Sequence, residues 1–269
     1  RFAAVTGKRR CLGAAALFLC LWSAACSRAV TGSCEFDPTS VSLEAVARVV
    51  DGDTLHLENG DKVRLVGINT PEIGRGGEAS EPLAEQARVA LVQLVDSARA
   101  VRVVDGKMAR DRHGRRLGHI YDQDGASLVA QLLADGWGFH VAVAPNFTHL
   151  DCFQAAEQRA RTAGLGVWSE PALAVRRVQQ LTPGEGGFER VAGTVTRVSF
   201  KENGWWIQLD GKVGLQIKHA DQARFDRSQL RVSEGEFLEA RGWLVPMRGD
   251  WWLMNVSHPA MLTWGGFAR

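Results

Sequence analysis

Short stretches in which apolar and polar residues alternate recur in two parts of the chain, and this pattern predicts β-strands. In the first part, Asp51-Gly52-Asp53 and Asn59-Gly60-Asp61 interrupt the alternation, as is typical of tight turns between paired strands. The strands predicted in this part cover residues 46–50, 55–57, 62–66, 101–104 and 117–121.

Three segments of the same part repeat their apolar residues with a helical period. They cover residues 82–98, 127–134 and 148–163. Thr148 is expected to cap the third helix, and Gly164 is expected to end it. The order of these elements predicts an α+β fold, in which a small five-stranded OB-type β-barrel carries three packed helices.

A second, mostly β, OB-like domain is predicted over residues 189–265, after a linker at 172–188 that contains Pro183-Gly184-Glu185-Gly186-Gly187. Its predicted strands cover residues 193–198, 205–209, 214–217, 237–245 and 251–254. Its tryptophans and lysines leave two interpretations open. They would form either a stacking surface for single-stranded nucleic acid or a surface with a structural or protein-contact role.

The N-terminus differs from the rest of the chain. Lys8, Arg9 and Arg10 precede an apolar stretch of about 14 residues, which is shorter than the ~20 residues that span a bilayer. This pattern predicts a signal peptide at 1–26, a tether at 27–44 and the first domain at 45–171. Two processing routes fit, lipidation of Cys26 after Ser23-Ala24-Ala25 or cleavage after Ala29. The protein is therefore expected to be exported, to the bacterial cell envelope (periplasm or outer-membrane lipoprotein) or as a secreted protein. A lipid anchor would be its only membrane contact, and no obligate protein partner is evident.

Charge and cysteine content limit the interpretation further. The formal net charge of the whole chain is +2. Because residues 1–26 hold four basic and no acidic side chains, their removal would leave −2. Net charge is therefore no argument for a nucleic-acid partner, and any phosphate binding has to come from local clusters. Outside the signal region only Cys34 and Cys152 remain, which predicts either one disulfide or two unpaired thiols.

Candidate chemistry is concentrated around the first turn. Asp51 and Asp53 place two carboxylates where they can bind one hard cation, and Arg64 follows on a neighbouring strand. Just beyond that strand, Asn69-Thr70-Pro71-Glu72 adds further oxygen ligands and a spare carboxylate. Hydrolysis of a phosphodiester needs positive charge around the phosphorus and a carboxylate that orients or deprotonates water.

These residues, together with several later motifs, resemble the staphylococcal nuclease family over roughly 125 residues. The matching motifs occur in the family's order: Asp51-Gly52-Asp53-Thr54, Arg64, Asn69-Thr70-Pro71-Glu72, Asp111-Arg112-His113-Gly114-Arg115, Leu117-Gly118-His119-Ile120-Tyr121, Pro145-Asn146, Thr148-His149 and Gly166-Val167-Trp168-Ser169-Glu170.

The resemblance implies a calcium-dependent nuclease that acts on DNA and RNA and leaves 3′-phosphate ends. Asp53 would be a direct calcium ligand, with Asp51 in support, and Thr70 would contribute its backbone carbonyl. Asn69 stands where the family usually has a second aspartate ligand. Its neutral amide predicts weaker calcium binding or the use of another divalent metal.

The resemblance also assigns the residues that act on the substrate. Glu72 would be the general base, and Arg64 and Arg115 would hold the phosphate. Arg115 would also assist departure of the 5′-oxygen. Arg112 and His113 would contact the bound nucleic acid, and His113 replaces a tyrosine that is frequent in the family. The alternative is a catalytically weak or inactive envelope protein that binds nucleic acid with the same barrel.

Overall fold

The computed structural model describes residues 34–37, 40–98, 100–226 and 234–265. The predicted signal peptide at 1–26 and its Cys26 lie outside these residues. No helix within the described ranges is both long enough and apolar enough to cross a bilayer.

The first part of the chain forms a nearly closed barrel. Its strands are β1 (Leu43–Glu44), β2 (Val46–Asp51), β3 (Thr54–Leu57), β4 (Lys62–Leu65), the separate short β5 (Ile68–Asn69), β6 (Val101–Arg110) and β7 (Arg116–Tyr121). The six-stranded sheet has the order β1-β6-β7-β4-β3-β2. Since only Ala45 separates β1 from β2, the two edges of this sheet almost meet. The β4–β7 pair is parallel, and the other pairs of this sheet are antiparallel.

Three helices accompany the barrel: α1 (Ala84–Ala98), α2 (Leu128–Ala134) and α3 (Leu150–Ala163). The Ser127 hydroxyl caps α2 by accepting a hydrogen bond from the Ala130 amide. The expected Thr148 cap of α3 is wrong. His149 takes that position with a left-handed φ of 62°, and its ring lies 2.6 Å from the Tyr121 hydroxyl.

The first hydrophobic core fills the barrel and the space beneath the helices. It includes Leu55, Leu65 and Ile120 from the sheet with Leu91 and Phe153 from the helices, and all five are almost inaccessible to solvent. Burial of each such side chain contributes about 1.5–3 kcal/mol. The predicted fold class, a small barrel with packed helices followed by a second strand-rich region, is confirmed.

Part of the predicted tether is attached to this barrel. A disulfide joins Cys34 to Cys152 of α3, with the two Cα atoms 5.7 Å apart. Phe36 stacks on Tyr121 at a centroid distance of 5.0 Å. Together with β1, these contacts fix the described residues of the 27–44 segment to the first barrel.

A second sheet follows, after the two-residue strand β8 (Phe139–His140) that pairs with β5. Its strands are β9 (Arg176–Arg177), β10 (Gly187–Lys201), β11 (Gly204–Leu209), β12 (Val213–Ile217), β13 (Phe237–Pro246), β14 (Trp252–Asn255) and β15 (Leu262–Trp264). The pairings run β10-β11-β12-β14-β13 and return to β10, so these five strands close into a barrel. The β12–β14 pair is parallel, as β4–β7 is in the first barrel. The name OB-like for this part stays a prediction.

Short 3-10 helices connect several strands, at Gly166–Trp168, Pro171–Leu173, Val178–Gln180, His219–Arg224 and Pro259–Met261. Two of them lie in or beside the predicted linker. Within 172–188, β9 pairs with β10 and Val178 is fully buried in the core of the second barrel. These residues of the predicted linker therefore pack on the second barrel.

The two barrels share an extensive apolar contact. Val141 and Ala142, which directly follow β8, belong to the core of the second barrel. Phe139 stacks on Phe188 with a centroid distance of 5.7 Å. Beside these rings, Glu157 of α3 forms an ion pair with Arg241 of β13 at 2.6 Å and accepts the His140 amide at 2.7 Å.

Candidate active site

The turn between β2 and β3 places two carboxylates against α1. A Cβ atom at Gly52 would lie only 2.7 Å from the Ala87 Cβ and 2.8 Å from the Thr70 Cβ. Only glycine fits this position, and its absence of a side chain lets the turn approach both neighbours. As a result, Asp51 and Asp53 are both buried, and the Asp53 amide donates to the Asp51 carboxylate at 3.2 Å.

Arg64 is held rigidly at the centre of the site. Its Nη1 donates to the carbonyl oxygens of Leu65 and Ile68 at 2.7 and 2.8 Å. Its Nη2 lies 3.0 Å from the Asp53 carboxylate and 3.0 Å from the Asn69 Oδ1. The β3–β4 pairing sets this position by placing Arg64 opposite Thr54. These contacts fix the plane of the guanidinium group before any ligand arrives.

Asn69 uses both ends of its amide. Its Oδ1 accepts from Arg64, and its Nδ2 faces the Thr70 carbonyl oxygen at 3.4 Å. Because arginine only donates and a carbonyl only accepts, these neighbours set the orientation of the amide. An aspartate here would keep the contact with Arg64 but would have no proton to give to the Thr70 carbonyl. The Thr70 amide in turn donates to Asp53 at 2.9 Å.

Glu72 lies just outside this cluster and is exposed to solvent. Its amide donates to the Glu81 carboxylate at 2.8 Å, and the Glu81 amide donates to its carbonyl at 2.9 Å. Although the residue as a whole is exposed, nearby protein atoms partly desolvate its carboxyl group. This desolvation, followed by repulsion from Asp53 and Asp51, raises the pKa of Glu72 to about 7. Burial and then repulsion from Asp53 raise the pKa of Asp51 to about 6. Negative charge is thus in excess here, even with Arg64 present.

The donor set suits a hard cation. Asp51 and Asp53 offer carboxylate oxygens, while Asn69 and Thr70 offer neutral oxygens, and all four residues are buried together. Calcium binds such oxygen ligands, and a cation would relieve the repulsion that raises the pKa of Asp51. Within the described ranges, no three His, Cys, Asp or Glu side chains group as a metal site. These residues therefore offer a cation two carboxylates and two neutral oxygens.

Arg115 is positioned separately from this cluster by a turn at residues 111–115. Its Nε donates to Asp111 at 2.7 Å and its amide to the same carboxylate at 2.9 Å. Parallel pairing sets Arg64 opposite Leu117. Arg115 itself stands just before β7, so the turn that holds it leads directly into the strand beside Arg64.

The predicted substrate residues Arg112 and His113 are exposed on this turn. The Arg112 Nε lies 3.1 Å from the His113 Nε2. The His113 amide donates to Asp111 at 2.8 Å. The structure thus brings Asp51, Asp53, Arg64, Asn69 and Thr70 into one cluster, with Glu72 beside it. It places Arg112, His113 and Arg115 on the neighbouring turn.

Three further residues support this site without having been assigned a definite role from the sequence. Asp111 holds Arg115. Desolvation by itself would raise the pKa of Asp111, but its hydrogen bonds with Arg115 and His113 outweigh this effect and lower the pKa. Glu81 holds the backbone of Glu72. Arg75, on the glycine-rich loop, approaches the Asp51 carboxylate to 3.6 Å. The Asp-x-x-x-Arg spacing of residues 111 and 115 is the one signal in the sequence that points to the first of these contacts.

Comparison with known proteins agrees with this arrangement. Residues 62–170 match the family described as "Staphylococcal nuclease homologue". The SPbeta prophage-derived endonuclease YokF of Bacillus subtilis (strain 168) is 35% identical over 127 residues, which are 46% of this chain and 43% of the relative. Endonuclease YncB of the same organism is 33% identical over 134 residues, 48% of this chain and 63% of YncB. Protein ParB of Escherichia coli is 32% identical over 142 residues, 47% of this chain and 72% of ParB.

The fold and the site together define an OB-type barrel that carries a cluster of carboxylates and arginines at one edge. The chain belongs to the staphylococcal nuclease family. It spans about half the length of the first two relatives, 43% and 63%. The family match ends at residue 170, before the second barrel.

Replacing Asn69 with aspartate is expected to raise calcium affinity about tenfold or more, because it adds a negative charge to a site with two carboxylates. It also removes the amide group that faces the Thr70 carbonyl. Isothermal titration of calcium into both proteins measures the change. Asn203→Asp, which adds the same charge in the second barrel, is the control and leaves the affinity unchanged. Equal affinities of the parent and Asn69→Asp would contradict a role for Asn69 in cation binding.

Proposed function

We propose that the protein is an exported, calcium-dependent nuclease that hydrolyses phosphodiester bonds in DNA and RNA. The observation that carries this proposal is the fixed Arg64 guanidinium, bound to Asp53 and Asn69 with the Glu72 carboxylate beside the cluster. The names of two relatives, both endonucleases of Bacillus subtilis, support the same activity.

Hydrolysis requires a water molecule to add to phosphorus while the bond to the leaving oxygen breaks. Glu72 is the group that accepts the water proton, and a pKa of about 7 suits a base that works near neutral pH. Arg64 and Arg115 bind the non-bridging oxygens and stabilise the charge that builds up on them. Arg115 also donates to the departing 5′-oxygen, so the phosphate stays on the 3′ side.

Calcium, when bound, supplies positive charge next to the phosphate. Asp53 and Asp51 would hold it, with the oxygens of Asn69 and Thr70 completing the set. Two charged ligands give weak binding, which suffices where calcium is plentiful, as outside the cytoplasm. An exported location also agrees with the disulfide between Cys34 and Cys152, because disulfides persist in oxidising compartments.

Glu72→Gln is expected to reduce cleavage of plasmid and single-stranded DNA by about a hundredfold or more, because glutamine keeps the shape but accepts no proton. Cleavage by the parent should disappear when a chelator removes calcium. Gel analysis of both substrates over time, with RNA as a third substrate, measures the rates. End-labelling then identifies the 3′-phosphate.

Glu78→Gln is the matched control, since Glu78 is an exposed carboxylate in the following loop. It should cleave like the parent. Undiminished cleavage by Glu72→Gln would overturn the role of Glu72. If the parent binds DNA but cuts nothing with calcium or any other divalent metal, the protein is instead a nucleic-acid-binding member of the family that does not act as an enzyme.

A further inference from the structure

The second barrel has a groove on its outer face that the proposed active site does not use. It encloses about 520 Å³ and is called the Trp206 groove here. Its main lining residues are Arg197, Ser199 and Lys201 of β10, Trp206 and Gln208 of β11, and Trp251 just before β14. Alternation along β11 explains its position. Ile207 and Leu209 point into the core, so Trp206 and Gln208 point outward.

Two tryptophans form an aromatic surface in this groove. The rings of Trp206 and Trp251 are stacked, with 6.2 Å between centroids and 27° between planes. Gly214 makes room for this, because a Cβ atom there would lie 2.5 Å from the Trp251 ring. The Trp206 indole donates to the Asn203 side chain at 2.8 Å, which fixes its orientation. Both tryptophans stay partly exposed, although neither is needed to fill the core.

The groove is also positively charged. The Lys201 ammonium lies 4.7 Å from the centre of the Trp206 ring, and Arg197 lines the same strand face. Among the residues that the structure describes, no carboxylate lines the groove. Within the described ranges neither Arg197 nor Lys201 forms an ion pair. In contrast, several arginines in the same half of the chain bind carboxylates, namely Arg176, Arg190, Arg224 and Arg241.

We propose that the Trp206 groove binds single-stranded nucleic acid, with bases stacked on Trp206 and Trp251 and phosphates beside Arg197 and Lys201. Stacking surfaces joined to a cationic groove are the means by which proteins hold single strands of any sequence. Unpaired cations favour a polyanion over a neutral sugar polymer. Flat aromatic faces favour unpaired bases over a duplex, whose bases are already stacked.

The proposal does not depend on cleavage at Glu72, and the two can be tested apart. Binding is measured with the full chain carrying Glu72→Gln, in chelator, so that the probe stays intact. The probe is a fluorescently labelled oligothymidylate of about 12 nucleotides, and anisotropy reports its binding. Trp206→Ala in this background is expected to weaken binding about tenfold or more, through loss of one base-stacking contact.

A second variant, Arg197→Gln with Lys201→Gln, tests the charges. For single strands each phosphate contact adds about 0.7 to the slope of log affinity against log salt, so this variant should lower the slope by about 1.4. Two controls match these changes. Phe200→Ala removes an exposed aromatic residue of β10 outside the groove, and Arg159→Gln removes an exposed charge on α3. Both should bind like the parent.

Three results would overturn the proposal. The first is that Trp206→Ala binds the oligothymidylate as tightly as the parent and unfolds at the same temperature. The double charge variant could keep the parent's salt dependence. A neutral oligosaccharide could compete for the groove as well as the oligonucleotide does. In contrast, loss of binding in Trp206→Ala supports the groove even if the parent never cleaves DNA, in which case only the nuclease proposal fails.

Discussion

Replacing Arg64 with glutamine is expected to lower the cleavage rate by about two to three orders of magnitude, because one fixed donor to the phosphate is lost. Without calcium the same change should lower the free energy of unfolding by about 3–5 kcal/mol, since it leaves the buried Asp53 carboxylate without its cationic partner. Added calcium should then raise the melting temperature of Arg64→Gln by more than it raises that of the parent.

Arg110→Gln is the control for this experiment. Arg110 also forms an ion pair at 3.0 Å, with Asp61, but its side chain is 57% exposed. Exposed pairs contribute about 0–1 kcal/mol, so this variant should keep most of its stability. Equal losses of stability in Arg64→Gln and Arg110→Gln would show that Arg64 is not the buried counter-ion of Asp53.

Glu157→Ala is expected to lower the free energy of unfolding by about 3–5 kcal/mol. Glu157 is buried, and its Oε1 accepts hydrogen bonds from both the Arg241 guanidinium and the His140 amide. Removing it takes this counter-ion from the largely buried Arg241 side chain and this acceptor from the His140 amide. Denaturant titration measures the loss.

The double variant Glu157→Leu with Arg241→Met separates charge from packing. Replacing a buried ion pair by apolar side chains of similar size is often neutral, so the double variant should be more stable than Glu157→Ala. If the two are equally destabilised, the loss comes from packing and the ion pair contributes little.

Local patterns in the sequence were sufficient to predict most of the elements. Alternation predicts strands at 46–50 and 205–209, and the structure has strands at Val46–Asp51 and Gly204–Leu209. Such a pattern involves only residues a few positions apart, because successive side chains along a strand point to opposite faces. The strand order of the second barrel is less accessible, because it depends on pairings such as β10–β13 between residues far apart in the chain.

Some features of the candidate site could also be predicted from the sequence, whereas others depend on the fold. Asp53, Arg64 and Glu72 follow from residue type and the family resemblance. Asn69 faces both Arg64 and the Thr70 carbonyl. These contacts depend on the close approach of two strands, which the composition of the sequence does not reveal. The packing of residues 172–188 on the second barrel could not be predicted from the sequence either. Its glycines and proline are typical of a linker, whereas Val178 is buried through contacts with distant strands.

The two-residue strand β8 joins the barrels more tightly than a connecting segment would. Phe139 pairs with Asn69 on one side and stacks on Phe188 on the other, while Val141 enters the second core. Neither barrel can therefore be exchanged for an unrelated module without rebuilding the backbone next to Asn69. A change that alters the contact between the barrels in this chain would therefore also reach the backbone beside the candidate site.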